Sequence, residues 1–157
     1  APARATGLVM VGTAYPMKVS DALLATARDD PARAIAMVNA FSHSSLASKP
    51  SYPGPGTWLR GASSALMHRI QGDADGNLFE HDFRVCDAYA GGTDAAKRIT
   101  CPVRMIVGTR DVMTPAKATR ELAGLLDASV SRIASGHALM QEAPDAVLNA
   151  IRQAIPA

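Results

Sequence analysis

The sequence predicts an α/β protein built on a small parallel sheet, and three observations carry that prediction. Two apolar runs, Gly7-Leu8-Val9-Met10-Val11-Gly12 and Val103-Arg104-Met105-Ile106-Val107-Gly108, lack the alternation of a half-exposed strand. They suit parallel strands buried on both faces. A third, weaker run follows at Ser129-Val130-Ser131-Arg132-Ile133. The stretches between the runs are helical in pattern. Strands separated by helices assemble into one sheet through crossover connections, for which right-handedness is the strong default.

The elements follow in order. The chain opens Ala1-Pro2-Ala3-Arg4 without methionine, as expected of a processed N-terminus or of a piece of a longer protein. Residues 19–99 read as a helical insertion between two strands of one sheet, a cap. Asp30-Pro31 opens a helix with Ile35, Val38 and Phe41 on one face. Residues 49–56 carry too much proline and glycine for a regular element. A helix is predicted from Thr57 through Ile70, with Trp58, Ala62 and Leu66 facing inward, then a turn over Gly72–Asn77. A further helix over Leu78–Tyr89 presents Phe79, Phe83, Cys86 and Ala90. After the second strand, Thr114-Pro115 has the form of an N-cap and first helical residue. That helix would use Leu122, Leu125 and Leu126 as its apolar face and end near Asp127. The last helix should begin at Pro144 and pack Val147, Leu148, Ile151 and Ile155 on the sheet. Residues 1–18 and 100–157 thus form a core, and 19–99 a lid upon it.

Composition excludes several function classes. At 157 residues, with 48% hydrophobic and 19% charged, the chain can bury a core and is not a disordered segment. A net charge of +2, scattered cations and 4% aromatics leave no basic, base-stacking surface, so no nucleic-acid partner is expected. No apolar run approaches the roughly 20 residues of a membrane helix, and no signal-peptide pattern opens the chain. A cytoplasmic protein without membrane partners is the expectation. Cys86 and Cys101 have no metal or redox spacing and read as buried thiols. Gly72-Asp73-Ala74-Asp75-Gly76-Asn77 is calcium-loop-like, but its glycine is misplaced and Arg84 stands where a bidentate glutamate is needed. His43, His68 and His81 read as solvated or helix-surface histidines, and Met10, Met37 and Met67 as core. No phosphate loop appears. No metal or cofactor is expected.

Two local patterns carry chemistry. The second strand runs out through Val107-Gly108-Thr109-Arg110-Asp111, and an aspartate at the C-terminal end of a parallel strand stands on the functional edge of an open sheet. Alone, Asp111 reads equally as a turn residue capping the next helix. Beyond the third strand comes Ser135-Gly136-His137, and a lone loop histidine is more often surface or core than catalyst. The two lie 26 positions apart, each just past a strand end, and can reach one edge together.

Gly-x-x-Asp-x-x-x-Pro over 108–115 and Gly-His-x-x-x-x-Glu-x-Pro over 136–144 resemble the end of the α/β-hydrolases. The resemblance implies a partial α/β-hydrolase fold, with the three strands as the family's sixth to eighth and an inserted helical cap. It implies an esterase-like Ser-His-Asp mechanism, with Asp111 as acid and His137 as general base. The family's nucleophile, in Gly-x-Ser-x-Gly, precedes the sixth strand and would lie upstream of Gly7. Gly61-Ala62-Ser63-Ser64-Ala65 has no strand before it and reads as helix packing.

From this resemblance the chain alone is expected to be inert and its parent a hydrolase of a small hydrophobic ester-like substrate. Dehalogenase, C–C hydrolase and haloperoxidase-like chemistries differ mainly at the nucleophile and stay open. Trp58, Phe79, Phe83 and Met140 are candidate pocket residues. The first strand would pair with the N-terminal half of the fold, or with a second copy, through residues 7–12. A non-catalytic binding module on the same fold is the alternative.

Overall fold

The computed structural model describes residues 4–45 and 58–155. The Pro/Gly-rich segment 49–56 lies outside the described residues. The three apolar runs are strands β1 (Leu8–Val11), β2 (Val103–Gly108) and β3 (Ser129–Ile133). They form one parallel sheet in the order β1-β2-β3, with Leu8 opposite Val103, Arg104 opposite Ser129 and Gly108 opposite Ile133. β2 lies at the centre and is buried at every position but Arg104, which explains its unbroken apolar pattern.

Eight helices surround the sheet among the described residues: α1 (Asp21–Asp29), α2 (Pro31–Ser42), α3 (Leu59–Asp73), α4 (Leu78–Ala88), α5 (Gly92–Ala96), α6 (Arg120–Leu125), α7 (Leu139–Glu142) and α8 (Pro144–Arg152). On one face Ile106 and Ile133 pack with Leu139, Val147 and Ala150 from α7 and α8. On the other, Met105 packs with Ala96 of α5 and Leu122 of α6. Helices thus cover both faces of the sheet, α5 and α6 from either side of β2 in the chain and α7 and α8 from beyond β3.

Between β1 and β2 the helical insertion packs largely on itself. α1 lies on α2 and α4, and α2 lies also on α3. The starts are chemically defined. Ser20 accepts from the Leu23 N–H, Asp30 from Arg33 with Pro31 at the first helical position, and Asn77 from Glu80. Asn77 also donates to the Ala27 carbonyl (2.6 Å), which ties α4 to the end of α1. Ala27, Ala34 and Ile35 are fully buried and make the centre of this layer.

Several expected faces differ. Trp58, Ala62 and Leu66 do not face inward: all three are exposed, while α3 packs chiefly on α2 and buries Ser63. Trp58 folds its ring over Gly61 instead, where an added Cβ would come within 2.3 Å of Cε3. Phe41, Leu125, Leu148 and Ile155 are likewise exposed, while Ile35, Val38, Leu122 and Val147 are buried. α8 turns Val147, Ala150 and Ile151 to the sheet rather than the wider stripe. α1 and α5 were not anticipated, since a nine-residue and a five-residue helix carry too few apolar repeats to stand out. Thr114 does not cap a helix. Its backbone N–H and its hydroxyl both bond Asp111, so a turn follows and α6 begins at Arg120.

Candidate active site

The C-terminal edge of the sheet gathers the ends of all three strands. Past β2 the ladder continues for two residues, with Thr109 donating to the Ile133 carbonyl (2.8 Å) and Arg110 to Ser135 (3.0 Å). Gly108 makes this approach possible. A Cβ there would lie 2.5 Å from the Gly136 oxygen and 2.6 Å from the Ser135 oxygen, and backbone cannot yield that much. The chain then turns sharply and presents Asp111.

The Asp111 side chain is completely sealed from solvent. Its Oδ1 accepts from the backbone N–H groups of Met113 (2.9 Å) and Thr114 (2.8 Å). Its Oδ2 accepts from the Thr114 hydroxyl (2.7 Å) and faces Nδ1 of His137 at 2.9 Å. Asp111 therefore holds a turn and also orients an imidazole; the two functions a lone aspartate might have had coincide. Thr114 Oγ1 additionally approaches the Gly12 carbonyl (2.9 Å) and His137 Nδ1 (3.1 Å). Gly12 has φ +59°, a left-handed conformation that suits glycine, and a Cβ on it would lie 3.4 Å from Cε1 of His137. β1 thus contributes the floor of the site.

His137 keeps 32% of its side chain exposed, and among the described residues its polar contacts are all at Nδ1. Asp111 fixes Nδ1 as the protonated nitrogen of the neutral ring, which leaves the lone pair on Nε2. An imidazole held in this way can take a proton at Nε2 and return it.

Burial alone would raise the Asp111 pKa, but the hydrogen bonds from His137 and from the Thr114 amide and hydroxyl outweigh it, and the carboxyl sits below its ordinary value. A carboxyl lowered on folding stabilises the fold above its unfolded pKa of about 3.9, and that contribution disappears as pH falls through the folded value. Urea unfolding at pH 6 and at pH 3 should therefore show a smaller acid-induced loss for Asp111→Asn than for the parent chain. An equal loss would show that the carboxylate is not held this way.

Of the candidate pocket residues, Phe83 lines a cavity of about 460 Å³ between α1, α2, α4 and the Asp111 turn, with Leu23, Met37, Val38, Val112 and Met113. Phe79 lines a neighbouring cavity of about 280 Å³ and meets Phe83 edge-on at 5.9 Å. Trp58 and Met140 are 56% and 60% exposed and line neither cavity. His68 and His81 lie on the surface as expected, whereas His43 is buried at 6% exposure. Its Nδ1–H donates to the Asn39 carbonyl and its Nε2 meets the Gln141 side chain. Ser63 lies inside α3, with no strand-to-helix turn around it. Among the described residues no cluster of three or more His, Cys, Asp or Glu could hold a metal ion. No helix among them is long and apolar enough to cross a membrane. Thr114 escaped sequence reasoning because Thr-Pro is also a helix-start signal, although its spacing from Asp111 suits a turn in which the side chains meet.

No family model matches the sequence, and no curated protein matches it significantly. Solved structures do. A thermophilic esterase superimposes on 97% of the chain with a TM-score of 0.75 and 20% identity. The chain has the α/β-hydrolase fold. An esterase from Exiguobacterium antarcticum (TM-score 0.73, 13% identity, 94% of the chain) and an enol-lactonase from Burkholderia xenovorans (0.70, 18%, 96%) share it. The chain spans 56% of the length of each of these α/β-hydrolases, and its order of strands and insertion is that of the fold's C-terminal portion.

Proposed function

We propose that this chain supplies the acid and the base of an ester-hydrolysing α/β-hydrolase, and that a serine nucleophile comes from a part of the fold outside these residues. The observation that carries this is the 2.9 Å contact between a fully sealed Asp111 carboxylate and a partly exposed His137. His137 would accept the serine proton at Nε2 as the hydroxyl attacks an ester carbonyl, then deliver it to the departing alcohol. Asp111 would hold the ring's tautomer and stabilise the imidazolium as it forms. Residues 19–99 would act as the lid, and the apolar cavity beside the Asp111 turn favours a small hydrophobic ester. On this reading the chain alone is inert, since loss of a triad nucleophile costs on the order of a million-fold.

The partner follows from the sheet. Among the described residues β1 bonds β2 on one side, and its outer edge is a row of unpaired backbone groups that a further strand of the same fold, or a second copy, would cover. Intact-mass measurement after fluorophosphonate treatment, on the chain purified with whatever polypeptide it retains, tests both ideas. The expected result is a label on a second polypeptide, none on this chain, and loss of the label in His137→Ala. A label on this chain, or labelling indifferent to His137→Ala, would refute the proposed roles. A bound second polypeptide that never takes the label would favour a binding module.

A further inference from the structure

The loop that carries His137 is fastened on both sides of the histidine to one short piece of the helical insertion. The N–H of Gly136 donates to Oε2 of Glu142 (3.1 Å). The same carboxylate accepts from the Ser44 backbone N–H through Oε1 (2.7 Å) and from the Ser44 hydroxyl through Oε2. On the other side of the histidine, the N–H of Ala138 donates to the Ser42 carbonyl (2.8 Å). The backbones touch directly, for a Cβ on Gly136 would lie 2.6 Å from the Ser44 nitrogen and 2.9 Å from the Ser42 oxygen. Between these two serines, buried His43 bridges the Asn39 carbonyl (2.9 Å) and the Gln141 side chain (3.1 Å). Ser42 Oγ also approaches Sδ of Met113, in the Asp111 turn, at 3.1 Å.

We propose that Glu142 is a positioning residue for His137: its carboxylate locks residues 42–44, at the end of α2, onto the histidine loop, so the seat of the lid sets the aim of the imidazole at Asp111. The charge matters for a stated reason. Three donors converge on one side chain, and a carboxylate is the group that can accept from all of them at once. A neutral amide would turn a donor of its own toward the Ser44 or Gly136 N–H. The arrangement also accounts for a histidine, two serines and a glutamate that Asp111 and His137 leave without a role. The proposal rests on the Asp111–His137 pairing argued above.

Ring-nitrogen NMR of His137 in the neutral form tests it in the parent chain, in Glu142→Gln and in Ser44→Ala. The parent should hold the tautomer with the proton on Nδ1. In Glu142→Gln the ratio of that tautomer to the other should fall roughly fivefold, the factor carried by one weakened hydrogen bond of about 1 kcal/mol. Ser44→Ala should move it in the same direction by less, because the backbone bond to Oε1 survives. Unchanged amide shifts over Val103–Gly108 will show that the sheet is intact. Unchanged His137 signals in Glu142→Gln, with faster amide exchange at Ser44 and Gly136, would reduce Glu142 to a structural brace and overturn the proposal. Should that variant fail to fold, Ser44→Ala decides by the same criterion. A parent chain with no Nδ1–H preference would overturn the Asp111–His137 pairing itself, a result distinct from failure of the Glu142 step.

Discussion

If the proposed hydrolase is assembled, His137→Ala should lower its kcat by on the order of a million-fold, and Asp111→Asn by about ten-thousand-fold. The two numbers differ because the two groups do different things. On that proposal, without the imidazole nothing would accept the serine proton at neutral pH, and the remaining rate would be what binding and oxyanion stabilisation supply. Asparagine at 111 keeps the shape of the turn, and its oxygen can still receive the Met113 and Thr114 amides that now bond Oδ1. Its amide nitrogen would then point at Nδ1, where Oδ2 now stands 2.9 Å away. A donor there forces the ring proton onto Nε2, the nitrogen that must be free to act as base. Hydrolysis of a short chromogenic ester, followed at saturating substrate, separates the two cases. A change in KM alone for either variant would place the residue in binding rather than proton transfer.

How much of this was legible in the sequence depends on which interactions hold each part. The strands were legible nearly to the residue, because β2 is covered by α7 and α8 on one face and by α5 and α6 on the other, and burial on both faces erases alternation. That Asp111 and His137 meet was legible because each follows a strand closely, so one fact about parallel sheets brings both to one edge. The lid was harder. α3 packs chiefly on α2, so Trp58, Ala62 and Leu66 repeat at helical spacing without burial, and periodicity misassigned the inward face. The contacts around His43 were invisible for a different reason. Ser44 and Glu142 are 98 positions apart, as are His43 and Gln141, and no local pattern announces a pairing that tertiary structure alone creates. Thr114 sits between these cases: a local signal was present, but two local signals competed.

The second large effect concerns the sheet. Ile106→Ala should destabilise the chain by about 2–5 kcal/mol, a large share of the roughly 5–15 kcal/mol that holds an ordinary domain together. Ile106 is fully buried at the centre of β2 and packs among Ile133, Leu139, Val147 and Ala150. Neighbours on two strands and two helices cannot all move in to fill the gap, which puts the expected cost above that of the lost transfer energy alone. The same substitution at Leu148, one residue beyond buried Val147 but 46% exposed, should cost well under 1 kcal/mol. Urea unfolding of the two variants at neutral pH tests which face of α8 the sheet uses. Comparable losses at both positions would mean that the outer face of α8 is covered as well. Leu148 is exposed in this chain, so such a result would mark a covered surface in addition to the contact proposed at the edge of β1.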